Sequence, residues 1–165
     1  MRQPAPYRLT LLVCLAEIFG LASIAVFPAL LPTFQTDWHL SHTEAGWISA
    51  AYYAGYMILV PVLAGITDRM DARKIMGLGA LLGALTALAF ALLARGFWSA
   101  LVLRFLAGIS LAGIYMPGLK VVSDHTEGTL QSRFISFYTA SFSIGASLSY
   151  LLAGEIYTLG GWRWA

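Results

Sequence analysis

Two ionisable side chains stand alone in stretches that otherwise carry no charge: Glu17 within residues 9–34, and Arg104 within residues 98–119. A carboxyl in apolar surroundings can take up and release a proton, and a guanidinium there can hold an anionic group. Gly108, Leu111 and Tyr115 follow Arg104 at helical spacing, so the four share one face. Small and aromatic residues beside a cation suit the wall of a solute cavity, with Tyr115 as a candidate contact. They suit a close contact between helices equally well. The structural alternatives are a Glu17–Arg104 pair, or two separate polar locks on helix packing; the two residues stand at different depths.

A second cluster lies in the segment Ala64-Gly65-Ile66-Thr67-Asp68-Arg69-Met70-Asp71-Ala72-Arg73-Lys74. Asp68, Arg69, Asp71, Arg73 and Lys74 put charges of both signs into a short connection between two apolar stretches. The plain reading is a basic anchor with incidental acids. Further along, Ser136, Thr139, Ser141, Ser143, Ser147 and Ser149 could line a polar path or bond their own helix. Ser136, Ser143 and Ser147 fall nearest one face. Glu155 falls near the end of its stretch, where it can reach water. His39 and His42 lack the Cys or Glu support of a metal site. No Gly-x-x-x-x-Gly-Lys loop, zinc motif or nucleophile–base set is present, so no cofactor, metal or enzymatic activity is expected.

These residues need elements to place them, and composition says which. Hydrophobic residues make up 59% of the 165, charged residues 11%, and the mean hydropathy is +0.74. A soluble domain carries about 25% charged residues, whereas lipid can face Leu, Ala and Phe directly. The expected fold is all-α: a polytopic transmembrane bundle of about five spans. They run over about 9–34, 44–66, 75–93, 98–119 and 134–159, each near the roughly 20 residues that cross a bilayer core. Residues 1–8 form an N-terminal tail. The first stretch is too long for a signal peptide and ends in Pro28, Pro32, Gln35 and Asp37 rather than a cleavage pattern, so it is read as a retained span. Ser41 and Glu44 have the spacing of a capping box that opens the second span.

Basic residues set the orientation. Arg2, Arg8, Arg69, Arg73, Lys74, Lys120 and Arg133 fall on one side, and only Arg95 and Arg163 on the other. The basic side is expected to be cytoplasmic, with the N-terminus inside. Trp38, Trp47, Trp98, Trp162 and Trp164 fall at the opposite ends of the spans, where a headgroup layer favours them. Gly79 and Gly83, with Gly77 nearby, and Gly108 and Gly113 are placed to let helices approach closely. The net charge of +2, with no basic patch, gives no nucleic-acid partner.

The charged segment resembles the signature of the major facilitator superfamily, Gly-x-x-x-Asp-Arg-x-Gly-Arg-Arg/Lys between spans two and three. Asp68 and Arg69 match its Asp-Arg pair, and Arg73 and Lys74 its basic pair, displaced by one residue. Ala64 stands at the first Gly, beside Gly65, and Asp71 at the second, where Asp tolerates a left-handed turn less readily. Arg104-Phe105-Leu106-Ala107-Gly108 is similar to the superfamily's Arg-x-x-Gln-Gly segment, with Ala107 in place of Gln. Gly160-Gly161-Trp162-Arg163-Trp164 resembles a segment that often precedes span six. The Gly-Pro-x-x-Gly-Gly segment of many exchangers is not matched at residues 149–154.

The resemblance implies an incomplete N-terminal six-helix half of a transporter, whose missing C-terminal half is a partner. It implies secondary transport of a small solute by alternating access, with Arg104 associated with proton coupling. It also implies that the charged loop latches the cytoplasmic side, with Asp68 meeting a helix N-terminus of the missing half. Arg69 or Arg73 would then pair with Asp124 or Glu127. A non-transporting scaffold or assembly subunit and a small dimeric exporter are the competing readings, and the charged loop with buried Glu17 and Arg104 argues against the scaffold. Arg104 favours an anionic solute; Tyr52, Tyr53, Tyr56 and Tyr115 would suit a hydrophobic one. A bacterial inner membrane is the expected location.

Overall fold

A computed structural model describes residues 6–164. Arg2 and most of the expected tail 1–8 lie outside them, as does Ala165. The described chain is all helical: α1 (Pro6–Gly20), α2 (Val26–Ala29), α3 (Leu31–Asp37), α4 (His42–Thr67), α5 (Ala72–Leu93), α6 (Phe97–Asp124) and α7 (Gly128–Gly160). Among the described residues, α4 to α7 are the helices long and apolar enough to cross a membrane.

The second to fifth expected spans each fall within one helix, and the helices run a few residues past the expected ends. The first does not. Residues 9–34 are divided among α1, a run of turns at 21–25, α2 and the start of α3. Proline accounts for much of this break. In an unbroken helix the Ile24 carbonyl would accept the amide of residue 28, and Pro28 has none. Pro32 similarly falls in the first turn of α3, where a missing amide costs nothing.

Capping matches the sequence closely. The Ser41 amide donates to Glu44 Oε2 (2.9 Å) and the Glu44 amide donates to Ser41 Oγ (3.2 Å). Asp71 is the N-cap of α5, accepting the Arg73 amide (2.9 Å) at an ordinary φ of −59°. The left-handed turn that a glycine would permit there is therefore not used, and Asp71 is a capping residue instead.

Helix α6 is the centre of the bundle. Twelve of its residues are buried, against five or six in each of α4, α5 and α7. It packs along both α4 and α5, whereas α1 packs mainly on α7. Glycine makes these contacts close. A Cβ on Gly108 would strike the Tyr52 carbonyl, and one on Gly55 the Phe105 carbonyl. Gly79 meets the backbone of Gly113, and Gly83 meets the Ser110 hydroxyl. Gly77 faces open space. On α5 the polarity pattern is inverted relative to a soluble helix. Leu78, Leu81, Leu85, Leu88 and Leu92 are exposed, while Gly79 and Thr86 are buried. That is the arrangement expected when lipid is the solvent and small residues bring backbones together.

At the tryptophan end, Phe27, Phe34, Trp38, Phe90 and Trp162 form one aromatic cluster, with Trp38 and Trp162 centroids 5.4 Å apart. Trp47, Trp98 and Trp164 are exposed. Headgroup preference thus fits three of the five; Trp38 and Trp162 instead close the end of the bundle. Arg163 Nη1 donates to the Ala91 carbonyl (3.1 Å), covering a free carbonyl in the last turn of α5.

The contrast between Gly108 and Gly77 gives a direct test. Gly108→Val should cost at least about 1–3 kcal/mol through overpacking of backbone on backbone. Gly77→Ala should be neutral or slightly stabilising. Thermal unfolding of the two variants in the same detergent checks both.

Candidate functional site

Arg104 sits where the first span breaks. It is 6% exposed, and its Nη1 donates to the Ile24 carbonyl (3.1 Å), the group that Pro28 leaves without an amide. Its guanidinium carbon lies 4.4 Å from the Tyr52 ring centroid and 5.8 Å from that of Phe27. The cation is thus held by a carbonyl and two π faces rather than by a carboxylate. Its Nε has no hydrogen-bond partner. Arg104 also lines a cavity of about 60 Å³ shared with Ser23, Thr86 and Trp162.

Ser149 of α7 completes the same break. Its hydroxyl donates to the Ala22 carbonyl (2.7 Å) and its Oγ accepts the Ala25 amide (3.0 Å). It is fully buried. Arg104 and Ser149 together satisfy three backbone groups that the turns leave free, as apolar surroundings require.

Glu17 lies one turn earlier in α1 and is fully buried. The Ser141 hydroxyl of α7 is bonded to Glu17 Oε2, and Glu17 Oε1 has no partner. Ser141 also reaches the Tyr138 carbonyl (2.7 Å). A hydroxyl has one proton and here faces two oxygens. If Glu17 is ionised, Ser141 must donate to it. If Glu17 is protonated, the acid can donate to Ser141 Oγ and leave the hydroxyl proton for Tyr138. The site therefore has a bonded arrangement for either state.

Glu17 and Arg104 do not pair; each has its own partner, which removes the expected alternative of a direct ion pair. On the Arg104 face, Gly108 serves close helix contact, while Leu111, packed against Leu21 and Tyr52, and Tyr115 border an open groove of about 290 Å³ between α4, α6 and α7. Tyr53, Tyr56, Thr139, Phe142 and Ser143 line it as well. The Tyr115 ring stacks on Tyr138 (5.6 Å), whose hydroxyl donates to the Tyr115 carbonyl (3.1 Å). Arg104 is not among the groove residues.

The hydroxyls of α7 fall into two sets. Ser136, Ser143 and Ser147 are exposed, and the buried stripe runs Phe134, Tyr138, Ser141, Gly145, Ser149, Ala153. The bulky and small members of that stripe mark the packed face, and its two serines are the ones that bond to the first segment, Ser141 to α1 and Ser149 to the turns. Glu155 is exposed, as expected.

At the basic end, Lys120 Nζ lies 3.3 Å from Asp68 Oδ1 and 3.4 Å from Asp124 Oδ2. Arg73 Nη2 meets His125 Nε2 at 2.7 Å. The expected pairing of Arg69 or Arg73 with Asp124 or Glu127 is therefore not made. Lys120, one helical turn before Asp124, reaches both acids first, and His125 takes Arg73. Among the described residues, Arg69 and Lys74 have no ion-pair partner. No group of His, Cys, Asp and Glu able to hold a metal is found among the described residues.

A bundle of apolar helices joined through glycines, with a charged clasp between α4, α5 and α6, defines a polytopic helical membrane protein. Residues 12–165 match the sequence profile of the Major Facilitator Superfamily, and the chain belongs to that family. It is similar to Protein spinster homolog 1 of Xenopus tropicalis, 27% identical over 138 residues, covering 82% of this chain and 26% of that protein. It is 26% identical over 135 residues to the Probable sphingolipid transporter spinster homolog 1 of Arabidopsis thaliana, covering 79% of this chain and 26% of the relative. It is 25% identical over 150 residues to the Niacin transporter NiaP of Acinetobacter baylyi, covering 88% of this chain and 34% of the relative. The chain thus spans about a quarter to a third of the length of these relatives.

The staple across the break can be tested by substitution. Ser149→Ala should cost about 1–3 kcal/mol, because two buried backbone groups lose their partner. Ser147→Ala, on the exposed side of the same helix, should stay within about 0.5 kcal/mol. Unfolding midpoints in detergent distinguish the two.

Proposed function

We propose that this chain is the N-terminal part of a secondary transporter that moves a small solute by alternating access, driven by protons. The observation that carries the reading is Glu17: a carboxyl with no exposed surface, in an apolar helix, bonded to one serine and with one oxygen free. Such a group inside a membrane is costly unless it has a use or a partner. Uptake and release of its proton would reset Ser141 and so the contact between α1 and α7.

In this reading the groove of Tyr53, Tyr56, Tyr115, Thr139 and Ser143 is the wall that meets the solute, closed from the other side by the remaining half of the protein. Its lining is aromatic and hydroxylic, which favours an amphipathic or aromatic solute. Arg104 does not line it and is held by Tyr52 and the Ile24 carbonyl, so in this reading the charge acts through the break in the first span rather than as a direct anion holder. The names of the relatives supply two probes, niacin and a sphingolipid. The basic end is proposed to face the cytoplasm, in a bacterial inner membrane. The Asp68–Lys120 contact would belong to the latch that opens and closes that side. Both partners are substantially exposed, so it would serve as a switch more than as a source of stability.

The test is transport by the full-length protein in proteoliposomes. With an imposed proton gradient, the wild type should accumulate labelled niacin or sphingolipid. Glu17→Gln should let the solute only equalise across the membrane, while exchange of labelled for unlabelled solute continues. Accumulation by Glu17→Gln equal to wild type would remove proton coupling from this site. Asp68→Asn should slow exchange with little change in the concentration that half-saturates it; unchanged exchange would remove the latch.

A further inference from the structure

The Arg73–His125 contact at the basic end fixes more than a distance. His125 follows the last residue of α6, and its Nδ1 lies 2.9 Å from the Val121 carbonyl. A carbonyl can only accept, so Nδ1 carries a proton. Its Nε2 lies 2.7 Å from Arg73 Nη2, and a guanidinium can only donate. Nε2 must therefore be bare. Both bonds exist together only in the neutral imidazole with the proton on Nδ1.

The consequence is a clasp that one proton opens. Arg73 lies in the first turn of α5, beside its N-cap Asp71. The bond ties the connection between α4 and α5 to the far end of α6, 52 residues on in sequence. A proton on Nε2 would replace the acceptor with a donor and set a second positive charge against Arg73. Histidine is the side chain whose charge ordinarily changes between about pH 5 and pH 8.

The charges around this pair come from each neighbouring element. Asp68 closes α4 and Asp71 caps α5, where Arg73 and Lys74 follow. Lys120 and Asp124 lie on α6 itself, with Lys120 bridging Asp68 and Asp124. Glu127 stands before α7, and Gln131 of α7 donates to the Ser123 carbonyl (2.9 Å). The Lys120 bridge crosses from α6 to the end of α4, and among the described residues the Arg73–His125 bond is the side-chain hydrogen bond from the end of α6 to the start of α5.

We propose that His125 is a pH sensor on the basic side of the protein, which releases the loop between α4 and α5 as the pH there falls. The inference concerns the loop itself and holds whether or not Glu17 couples transport to protons. The direction follows from the bond: the clasp is closed while the imidazole is neutral and is lost on acidification.

Two measurements on the purified full chain in lipid nanodiscs test it. The first is the ¹⁵N spectrum of its histidines. The signal that disappears in His125→Gln should show Nδ1 protonated and Nε2 bare at pH 8. An Nε2-protonated ring at that pH would overturn the proposal. The second places a nitroxide at Met70→Cys in a background with the native cysteines replaced, Cys14→Ala among them, since Met70 is exposed in the loop. Label mobility should rise in a single step as pH falls from 8 to 5. The step should vanish in His125→Gln, and in Arg73→Gln the label should be mobile throughout. A step that survives in His125→Gln, or a flat wild-type profile, would sink the idea.

Discussion

The rest of this structure depends on one constraint: a backbone carbonyl or amide set free inside an apolar bundle must find a partner within the protein. Pro28 cannot give Ile24 its amide, and the turns at 21–25 free further groups. Arg104 from α6 and Ser149 from α7 come to those groups. The break is therefore where two distant helices are joined to the first segment. It also sets the position of Glu17, one turn earlier and against the same face of α7. The cation that looks isolated in the sequence is the complement of a proline 76 positions before it.

A second set of contacts works without polar groups. Gly55 with Phe105, Gly108 with Tyr52, and Gly79 with Gly113 bring backbones together, leaving large side chains to face outward. Leucine on the outside and glycine within is the reverse of a water-soluble helix, and it gives α6 its central place. The open groove arises because α7 packs on α1 and touches α6 over a short stretch around Tyr138, so Tyr53, Tyr56 and Tyr115 are left uncovered between them. Glycine seams and an uncovered, largely aromatic groove are thus separated within one bundle.

Much of this was legible in the residues. Apolar length set out α4 to α7, the Ser41–Glu44 spacing gave the cap as observed, and the charged loop pointed to the superfamily. The break in the first span was less visible, because hydropathy runs unchanged through residues 9–34. Its signal was Pro28 and Pro32, whose effect on backbone bonding outweighs their modest effect on hydropathy. Gly55 gave no glycine-pair cue, since Ala51 and Leu59 stand four positions to either side of it. Ser149 could be told from Ser147 only by following the stripe of Phe134, Tyr138, Gly145 and Ala153. The ionic partners at the basic end were the least readable. Asp68, Arg73, Lys120, Asp124 and His125 offer several compatible pairings, and helix rotation decides among them. Asp71 shows the same limit: its identity as a cap depends on where α5 starts, not on the glycine it replaces.

The placement of α6 has a bearing on biogenesis. Helices α4 and α5 are adjacent in the chain, yet each makes its main contact with α6 rather than with the other. As the nascent polypeptide leaves the ribosome, Gly55 and Gly79 enter the bilayer before the surfaces that match them exist. The earlier helices must wait at the translocon as loosely associated rods, with their glycine faces against lipid. Emergence of the segment around Gly108 and Gly113 then supplies both missing surfaces at once. Insertion of α6 is accordingly the event at which separate membrane helices become a protein.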